Sequence, residues 1–237
     1  PDAADDDETE RVLSTIKVMK NRLGELHLLS VLKEAVGTTA IAKNRDAYAD
    51  DLTLKERAVL ERHATPYVGT VLHTAIGVPA VEIDSLAKEL KSELIIMGTG
   101  GHPLAKLLGS TCTAVLHDTP CDVLVVQGSI ESGYERVLIA LDTTFMADHI
   151  LAQAENLGLS EDQCRVICVT PPLSGVTAAE SILAKSREIS ADLIIIGANS
   201  QGLLQRTLLS STTSSVLDKA GCDVYIVNST VASTARY

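Results

Sequence analysis

The chain has 237 residues, a formal net charge of -11 and a hydrophobic content of 46% that includes no Trp and one Phe. This length suits one or two domains, and the negative charge argues against a nucleic-acid backbone as partner, because proteins that bind one present Lys and Arg to the phosphates. No run approaches the roughly 18 apolar residues that cross a bilayer, and no secretory signal opens the chain, so the sequence predicts a soluble protein. Five cysteines without a CxxC pair indicate a reducing compartment, and therefore the cytoplasm.

The first half of the chain alternates predicted helices and strands. Apolar residues recur at helical spacing in some segments and form short continuous runs in others. The run LIIMG has no period-2 alternation, which is typical of a central strand covered on both faces. In chain order this half is predicted as helix 5–23, strand GELHLLSVL, helix 52–64, strand VGTVLHTAIG, helix VPAVEIDSLAKELK, strand LIIMG, helix Gly109–Thr119 and strand CDVLVV.

The second half continues the alternation. Its predicted elements are strand YERVLIALD, helix 145–157, strand CRVICVT, helix SGVTAAESILAKSREIS, strand LIIIG, helix Ser210–Ala220 and strand CDVYIV. Strands that alternate with helices in this way predict an α/β protein with a doubly wound parallel sheet.

The two halves repeat one another. Residues 93–126 and 192–227 show the same succession of acidic residue, apolar strand, glycine, polar loop, hydroxyl cluster, helix and Cys-Asp-Val strand. The sequence therefore predicts two repeats, residues 1–128 and 134–230. We expect the repeats to pack through their final strands as an internal pseudo-dimer, because an apolar edge strand left exposed would promote aggregation.

Two elements are missing from the repeat pattern. No strand precedes Pro1 in the first repeat, and the second repeat is shortened in the middle, where nothing corresponds to residues 33–76. We expect the chain to lack at least the first strand of the native protein. A parallel sheet without that strand would have a central gap lined by unpaired backbone groups.

A glycine-rich loop follows the strand of each repeat that reads LIIMG or LIIIG. Such a loop at the carboxyl end of a parallel strand lets backbone N–H groups approach phosphates, and the dipole of the following helix favours an anion. The chain contains no GxxxxGK[ST] and no GxGxxG, which removes the main support for a Walker-type ATPase or a Rossmann dehydrogenase. The loops read Gly98-Thr99-Gly100-Gly101 then Gly109-Ser110-Thr111, and Gly197-Ala198-Asn199-Ser200 then Ser210-Ser211-Thr212.

These loops resemble the signature of the universal stress protein family, in which Gly-x-x-Gly, nine residues and Gly-Ser/Thr follow the fourth strand. The first repeat keeps the glycines with seven residues between Gly101 and Gly109, whereas the second keeps the nine-residue spacing but has Ser200 and Ser210 at glycine positions. The resemblance implies a Rossmann-like fold and a site for ATP or another adenine nucleotide, with or without Mg²⁺. It also implies an adenosine contact from an Asp that ends the first strand, which Asp142 matches.

The candidate nucleotide-binding residues lie in both repeats. Serine in place of glycine adds a Cβ that can block close backbone approach, and both loops depart from the family pattern, so the alternative is that neither repeat binds a ligand. The candidates are Gly98, Gly101, His102, Gly109, Ser110 and Thr111 in the first repeat, and Asp142, Gly197, Ser200, Ser210, Ser211 and Thr212 in the second.

Structural interpretations compete with the functional ones. The glycines can serve only as turns, and the hydroxyl clusters only as helix caps. Cys164 and Cys168 fall in one strand, which would hold their Cα atoms about 13 Å apart, too far for one metal ion or a disulfide. No GxSxG motif or other set of nucleophile, base and orienting residue is present, so the sequence predicts no catalysis beyond slow ATP hydrolysis.

The leading hypothesis is a cytoplasmic regulatory or stress-response protein that binds an adenine nucleotide and associates with itself through the final strands. The alternatives are an interaction scaffold that binds no nucleotide and the soluble regulatory tail of a membrane transporter. The resemblance allows the second alternative because domains of this family also occur fused to carriers, in which case the chain would lie at the inner face of the membrane.

Overall fold

The protein is an α/β fold of two repeats. The computed structural model describes residues 3–32, 54, 57–63, 69–100, 108–128, 130, 132–141, 147–169, 175–198 and 210–228.

The first repeat begins with a long helix and ends with a strand–helix–strand unit. Pro79 occupies the start of the second helix, where its missing N–H and fixed φ are tolerated, and Lys91 ends that helix in the left-handed conformation. Residues 57–63 are also helical. The elements are α1 Ala3–Met19, β1 His27–Leu32, β2 Val71–Ile76, α2 Pro79–Leu90, β3 Leu94–Gly98, α3 Ser110–Asp118 and β4 Asp122–Val126.

The second repeat begins with a strand and ends with the same strand–helix–strand unit as the first. Thr177 and Glu180 form a capping box at the start of its second helix, in which each side chain accepts the backbone N–H of the other residue. The elements are β5 Val137–Leu141, α4 Ala147–Asn156, β6 Cys164–Cys168, α5 Ala178–Glu188, β7 Leu193–Gly197, α6 Ser211–Lys219 and β8 Asp223–Val227.

The strands form two sheets. β1 and β2 pair in parallel as a two-stranded sheet, and the other six strands form a sheet of order β3-β4-β8-β7-β5-β6. All pairs in the larger sheet are parallel except β4 and β8, which are antiparallel. The two repeats therefore join through their final strands within one chain, as the sequence predicted.

Both final strands lie inside the larger sheet. β4 is bonded to β3 and β8, and β8 is bonded to β4 and β7. Because each of these strands is paired along both edges, neither offers an edge to another chain. The association expected between final strands therefore takes place between the two repeats of one chain.

The hydrophobic core covers both faces of the larger sheet. Successive residues of β7 alternate between the two faces, with Leu193 and Ile195 on one side and Ile194 and Ile196 on the other. Helices α1 and α4 cover one face, and α3, α5 and α6 cover the other. This double cover explains why LIIIG is apolar at every position.

The prediction that LIIMG is a central, fully covered strand is wrong for the sheet that the structure describes. β3 lies at an edge of the six-stranded sheet and all five of its residues are partly exposed, whereas Leu193, Ile194, Ile195 and Ile196 of β7 are buried. The reason is that β7 has β5 as a second neighbour, and β3 has no second neighbour among the described strands.

Two buried carboxylates link the antiparallel strands β4 and β8, and each accepts hydrogen bonds from residues at the end of the opposite strand. Asp122, which begins β4, accepts the N–H of Asn228 at 2.8 Å and the hydroxyl of Tyr225 at 3.1 Å. Asp223, which begins β8, accepts hydrogen bonds from the N–H groups of Gln127 and Gly128, each at 2.8 Å. Each final strand thus carries, at its start, the acceptor for backbone groups just beyond the end of the other.

The hydrogen bonds do not fully offset the loss of water around these groups. Asp223 also accepts the hydroxyl of Tyr134 at 2.9 Å. Burial nevertheless raises the pKa of Asp223 above its usual value, against the opposing effect of the N–H and hydroxyl donors, and the pKa of Asp122 is raised for the same reason. Ionisation of these carboxyls is therefore less favourable in the folded protein than in the unfolded chain.

The substitution Asp223→Asn tests this balance. The amide keeps one oxygen for the two N–H groups and can donate to Tyr134, so we expect the free energy of unfolding at pH 7 to stay within about 1 kcal/mol of wild type. Asp223→Ala leaves buried donors unsatisfied and should lower that free energy by about 2–4 kcal/mol. Urea denaturation of the three proteins measures both effects.

The pH dependence of the same variants has a definite sign. A carboxyl with a raised folded-state pKa binds its proton in the folded state first, so its contribution to stability is fully present below the ordinary value of 3.8 and is lost as pH rises through the raised value. Wild type should therefore gain stability relative to Asp223→Asn as pH falls from about 7 to 4. A gain of the Asn variant over wild type in this range would contradict the assignment.

Candidate functional site

The loop of the first repeat starts at the end of β3 and ends at the start of α3. The N–H of Gly109 donates to the carbonyl of Thr99 at 2.8 Å, which holds the two ends of the loop together. A Cβ added at Gly109 would overlap the carbonyl of Gly100, and Gly100 has a φ of +62° that favours glycine. The predicted residues Gly101 and His102 lie outside the described residues.

The first turn of α3 has no side-chain cap. Gly109 is the N-cap residue and makes no side-chain hydrogen bond, so the prediction that the hydroxyl cluster caps this helix is wrong for the first repeat. Ser110 is exposed, and Thr111 lines the same cavity as Gly98 and Gly100. The structure therefore places an uncapped helix N-terminus beside the glycine loop, an arrangement that favours an anion.

A carboxylate already lies at this loop. Glu8 Oε1 accepts the N–H of Gly100 at 2.7 Å, and the hydroxyl of Thr99 lies 3.4 Å from the same oxygen. Glu8 falls within the predicted helix 5–23, and the sequence gave it no role in the site. No local signal could have found it, because Glu8 and Gly100 are 92 residues apart.

The loop of the second repeat is closed differently. Ser210 caps α6, because its Oγ accepts the N–H of Thr213 at 3.0 Å. The prediction that the hydroxyl cluster caps the helix is therefore confirmed for the second repeat. The hydroxyl of Thr213, a residue that sequence reasoning did not select, donates to the carbonyl of Gly197 at 3.0 Å. These bonds join the end of β7 to the start of α6.

The remaining residues predicted for the second repeat lie either on the first turn of α6 or outside the described residues. Ser211 is exposed and Thr212 is partly buried on the first turn of α6. Asp142 and Ser200 lie outside the described residues, so the predicted adenosine contact stays a prediction.

Two sequence differences account for the different helix starts: Gly109 stands where the second repeat has Ser210, and Cys112 stands where it has Thr213. The thiol of Cys112 is fully buried, and burial together with the nearby charge of Glu8 raises its pKa to about 12. The first repeat therefore lacks the pair of hydroxyls that closes the second.

Other candidate chemistry is limited in the part of the chain that the structure describes. All five cysteines are free, and Cys164 and Cys168 begin and end the edge strand β6. No three His, Cys, Asp or Glu side chains among the described residues are placed to hold a metal ion. None of the described helices has the length and apolar character of a membrane span.

The fold and the paired loops agree with comparisons to known proteins. The family model "Universal stress protein family" matches residues 3–127 and 173–228. The chain belongs to the universal stress protein family, and the two matched segments fit the tandem arrangement.

Individual relatives match parts of the chain. Universal stress protein A homolog 1 of Coxiella burnetii is 49% identical over 55 residues, which cover 23% of this chain and 38% of that protein. A universal stress protein of Methanocaldococcus jannaschii is 43% identical over 63 residues, 25% of this chain and 37% of its own length. A universal stress protein of Methanothermobacter thermautotrophicus is 31% identical over 126 residues, 50% of this chain and 86% of its own.

Solved structures share the fold. A universal stress protein from Archaeoglobus fulgidus superimposes with a TM-score of 0.69 at 23% identity and covers 93% of this chain and 92% of its own. A putative universal stress protein from Pseudomonas aeruginosa superimposes with a TM-score of 0.54 at 15% identity, over 90% of this chain and 97% of its own.

Ser210→Ala should expose the structural role of the second loop. The loss of an N-cap costs about 1 kcal/mol, and we expect the free energy of unfolding to fall by this amount. The matched control is Ser211→Ala at the next, exposed position, which should change stability by less than about 0.5 kcal/mol. Equal effects of the two substitutions in urea denaturation would show that Ser210 is not a significant cap.

Proposed function

We propose that the protein is a stress-response regulator that binds an adenine nucleotide in its first repeat, at the loop between Gly98 and Gly109 and the first turn of α3. The observation that carries this proposal is the hydrogen bond of 2.7 Å from the N–H of Gly100 to the carboxylate of Glu8. The loop directs a backbone donor at an anionic oxygen. A nucleotide phosphate presents the same kind of oxygen with more charge.

The helix beside the loop supports the same site. Because no side chain caps α3, the N–H groups of its first turn can be satisfied by a ligand, and the helix dipole favours negative charge there. In the second repeat Ser210 Oγ already accepts the N–H of Thr213, and the hydroxyl of Thr213 donates to the carbonyl of Gly197. We therefore assign the phosphate site to the first repeat and a structural role to the second loop.

The position of Glu8 couples the site to a helix. Glu8 lies on α1, and α1 packs against β3 and β4. A phosphate that takes the N–H of Gly100 must displace the carboxylate, because two anions so close repel each other. Occupancy of the site would thus break the hydrogen bond between α1 and the loop, and such a ligand-dependent contact is what a regulator requires.

The buried thiols are not candidate nucleophiles. Burial raises the pKa of Cys112 to about 12, of Cys121 to about 11 and of Cys222 to about 12. These thiols are protonated at neutral pH and are poor nucleophiles. None of the five cysteines forms a disulfide, which is compatible with a reducing cytoplasm.

Titration calorimetry of the whole chain with ATP, AMP and cyclic nucleotides tests the proposal. The informative variant is Glu8→Gln, which removes the competing charge and keeps the side-chain shape. We expect it to tighten nucleotide binding by about tenfold, or ~1.4 kcal/mol, because the phosphate no longer displaces an anion.

The matched control is Glu10→Gln, which makes the same change of net charge at an exposed position of α1. Its affinity should stay within about twofold of wild type, since exposed charges are screened by solvent. Equal effects of the two variants would assign the change to long-range charge and not to the loop. No heat with any nucleotide, in wild type or Glu8→Gln, would favour an interaction scaffold instead.

A further inference from the structure

The strand β6 has an edge that no other described strand covers. It lies at the end of the larger sheet and, among the described strands, it pairs only with β5. Its central residue, Val166, is 50% exposed, and Arg165 is the one charged residue of the strand. A mainly apolar strand with a free edge is a template for pairing with another strand.

The ladder between β5 and β6 decides which backbone groups face the free edge. Val169, the residue after β6, donates its N–H to the carbonyl of Leu141 at 2.7 Å. Successive residues of a strand direct their N–H and C=O groups to opposite edges, so the odd-numbered residues of β6 bond to β5. The even-numbered residues direct these groups to the free edge, and they are Cys164, Val166 and Cys168.

This edge is self-complementary in an antiparallel pair. If two copies of β6 pair about a two-fold axis at Val166, Val166 faces itself and Cys164 faces Cys168 of the partner subunit. Each of these pairs exchanges both of its hydrogen bonds, so every outward N–H and C=O group of the strand finds a partner. A shift of the centre to Arg165 would leave the outward groups of Cys168 without a partner in the strand and would set two guanidinium groups opposite each other, which is destabilising.

Arg165 holds one end of the edge in the free chain. Its Nη1 donates to the carbonyl of Cys164 at 2.9 Å and to that of Asp162 at 3.3 Å. Pairing about Val166 replaces the first of these bonds with one from the N–H of Cys168 of the partner subunit. Because Arg165 is exposed, its side chain can turn to water without leaving a buried charge.

The chain already contains a joint of the same kind in the same sheet. The antiparallel contact of β4 with β8 joins the repeats through three residue pairs. A pair of β6 strands would align all residues of Cys164–Cys168, which is a longer register than that joint uses. The second contact would continue the sheet across two molecules.

We propose that the free edge of β6 is an interface for a second copy of this chain, with the two β6 strands antiparallel and centred on Val166. The interface is reversible, because it competes with the hydrogen bonds of Arg165 and with water. The assignment is independent of the nucleotide proposal.

Sedimentation equilibrium of the whole chain over a concentration series tests the interface. Val166→Pro removes an N–H that faces the free edge and takes no bond from β5, and edge strands tolerate proline at such positions. Val166→Lys sets two charges opposite each other at the centre. We expect each variant to weaken the dimer by about tenfold or more, whereas the control Val166→Thr keeps the N–H and the branched side chain and should stay within about twofold of wild type.

Cysteine pairing tests the register. In a hydrogen-bonded antiparallel pair the Cα atoms lie about 5.5 Å apart, a distance that a disulfide spans. With oxidised glutathione, two thiols pass two electrons and two protons to one molecule of the oxidant, which becomes two molecules of glutathione. We expect linked dimers of wild type and none of Cys164→Ser or Cys168→Ser alone. An equimolar mixture of the two variants should give linked dimers again, because each variant retains the cysteine that the other lacks.

The proposal fails if the chain stays monomeric at its highest soluble concentration. It fails equally if Val166→Pro and Val166→Lys leave the dimer unchanged, since the copies then meet through another surface. A linked dimer of either single cysteine variant by itself would contradict the register. The melting temperature of each variant, compared with wild type, shows that the loss of dimer is not a loss of fold.

Discussion

The antiparallel pairing of β4 with β8 is the interaction on which the rest of the architecture depends. It joins two parallel half-sheets into one, removes the exposed edges of both final strands, and fixes the relative direction of the repeats. In an α/β sheet the ligand-binding loops follow the carboxyl ends of the parallel strands. Because the junction is antiparallel, β3 and β7 run in opposite directions, and the loops that follow them lie at opposite ends of the strands. Two ligands bound there would not contact each other.

The carboxylates of Asp122 and Asp223 make this junction specific at some cost in stability. Burial disfavours their charge, yet each satisfies backbone N–H groups just past the end of the opposing strand, and a shift of register by one residue would leave those donors without an acceptor. An apolar pair could stabilise the strands equally well. It would not select one register.

The two repeats use one backbone arrangement in two ways. In the second, Ser210 caps α6 and the hydroxyl of Thr213 ties that helix to the end of β7, so the loop is part of the scaffold. In the first, Gly109 and Cys112 at the corresponding positions leave α3 uncapped, and a carboxylate from α1 reaches the loop. The difference between a candidate ligand site and a structural turn thus depends on a few side chains at one helix terminus.

The sequence by itself determined the alternating order of elements, the repeat, the buried strand LIIIG and the cap at Ser210, because these depend on residues close together in the chain and on burial patterns that periodicity reports. It also identified the loops as candidate sites. Only the tertiary structure decided that Glu8 lies at Gly100, that Asp122 and Asp223 bind across the junction, and that β3 lies at an edge and not within the sheet. Each of these contacts joins residues about 90 or more positions apart or depends on which strand lies beside another, and no local pattern encodes such neighbours.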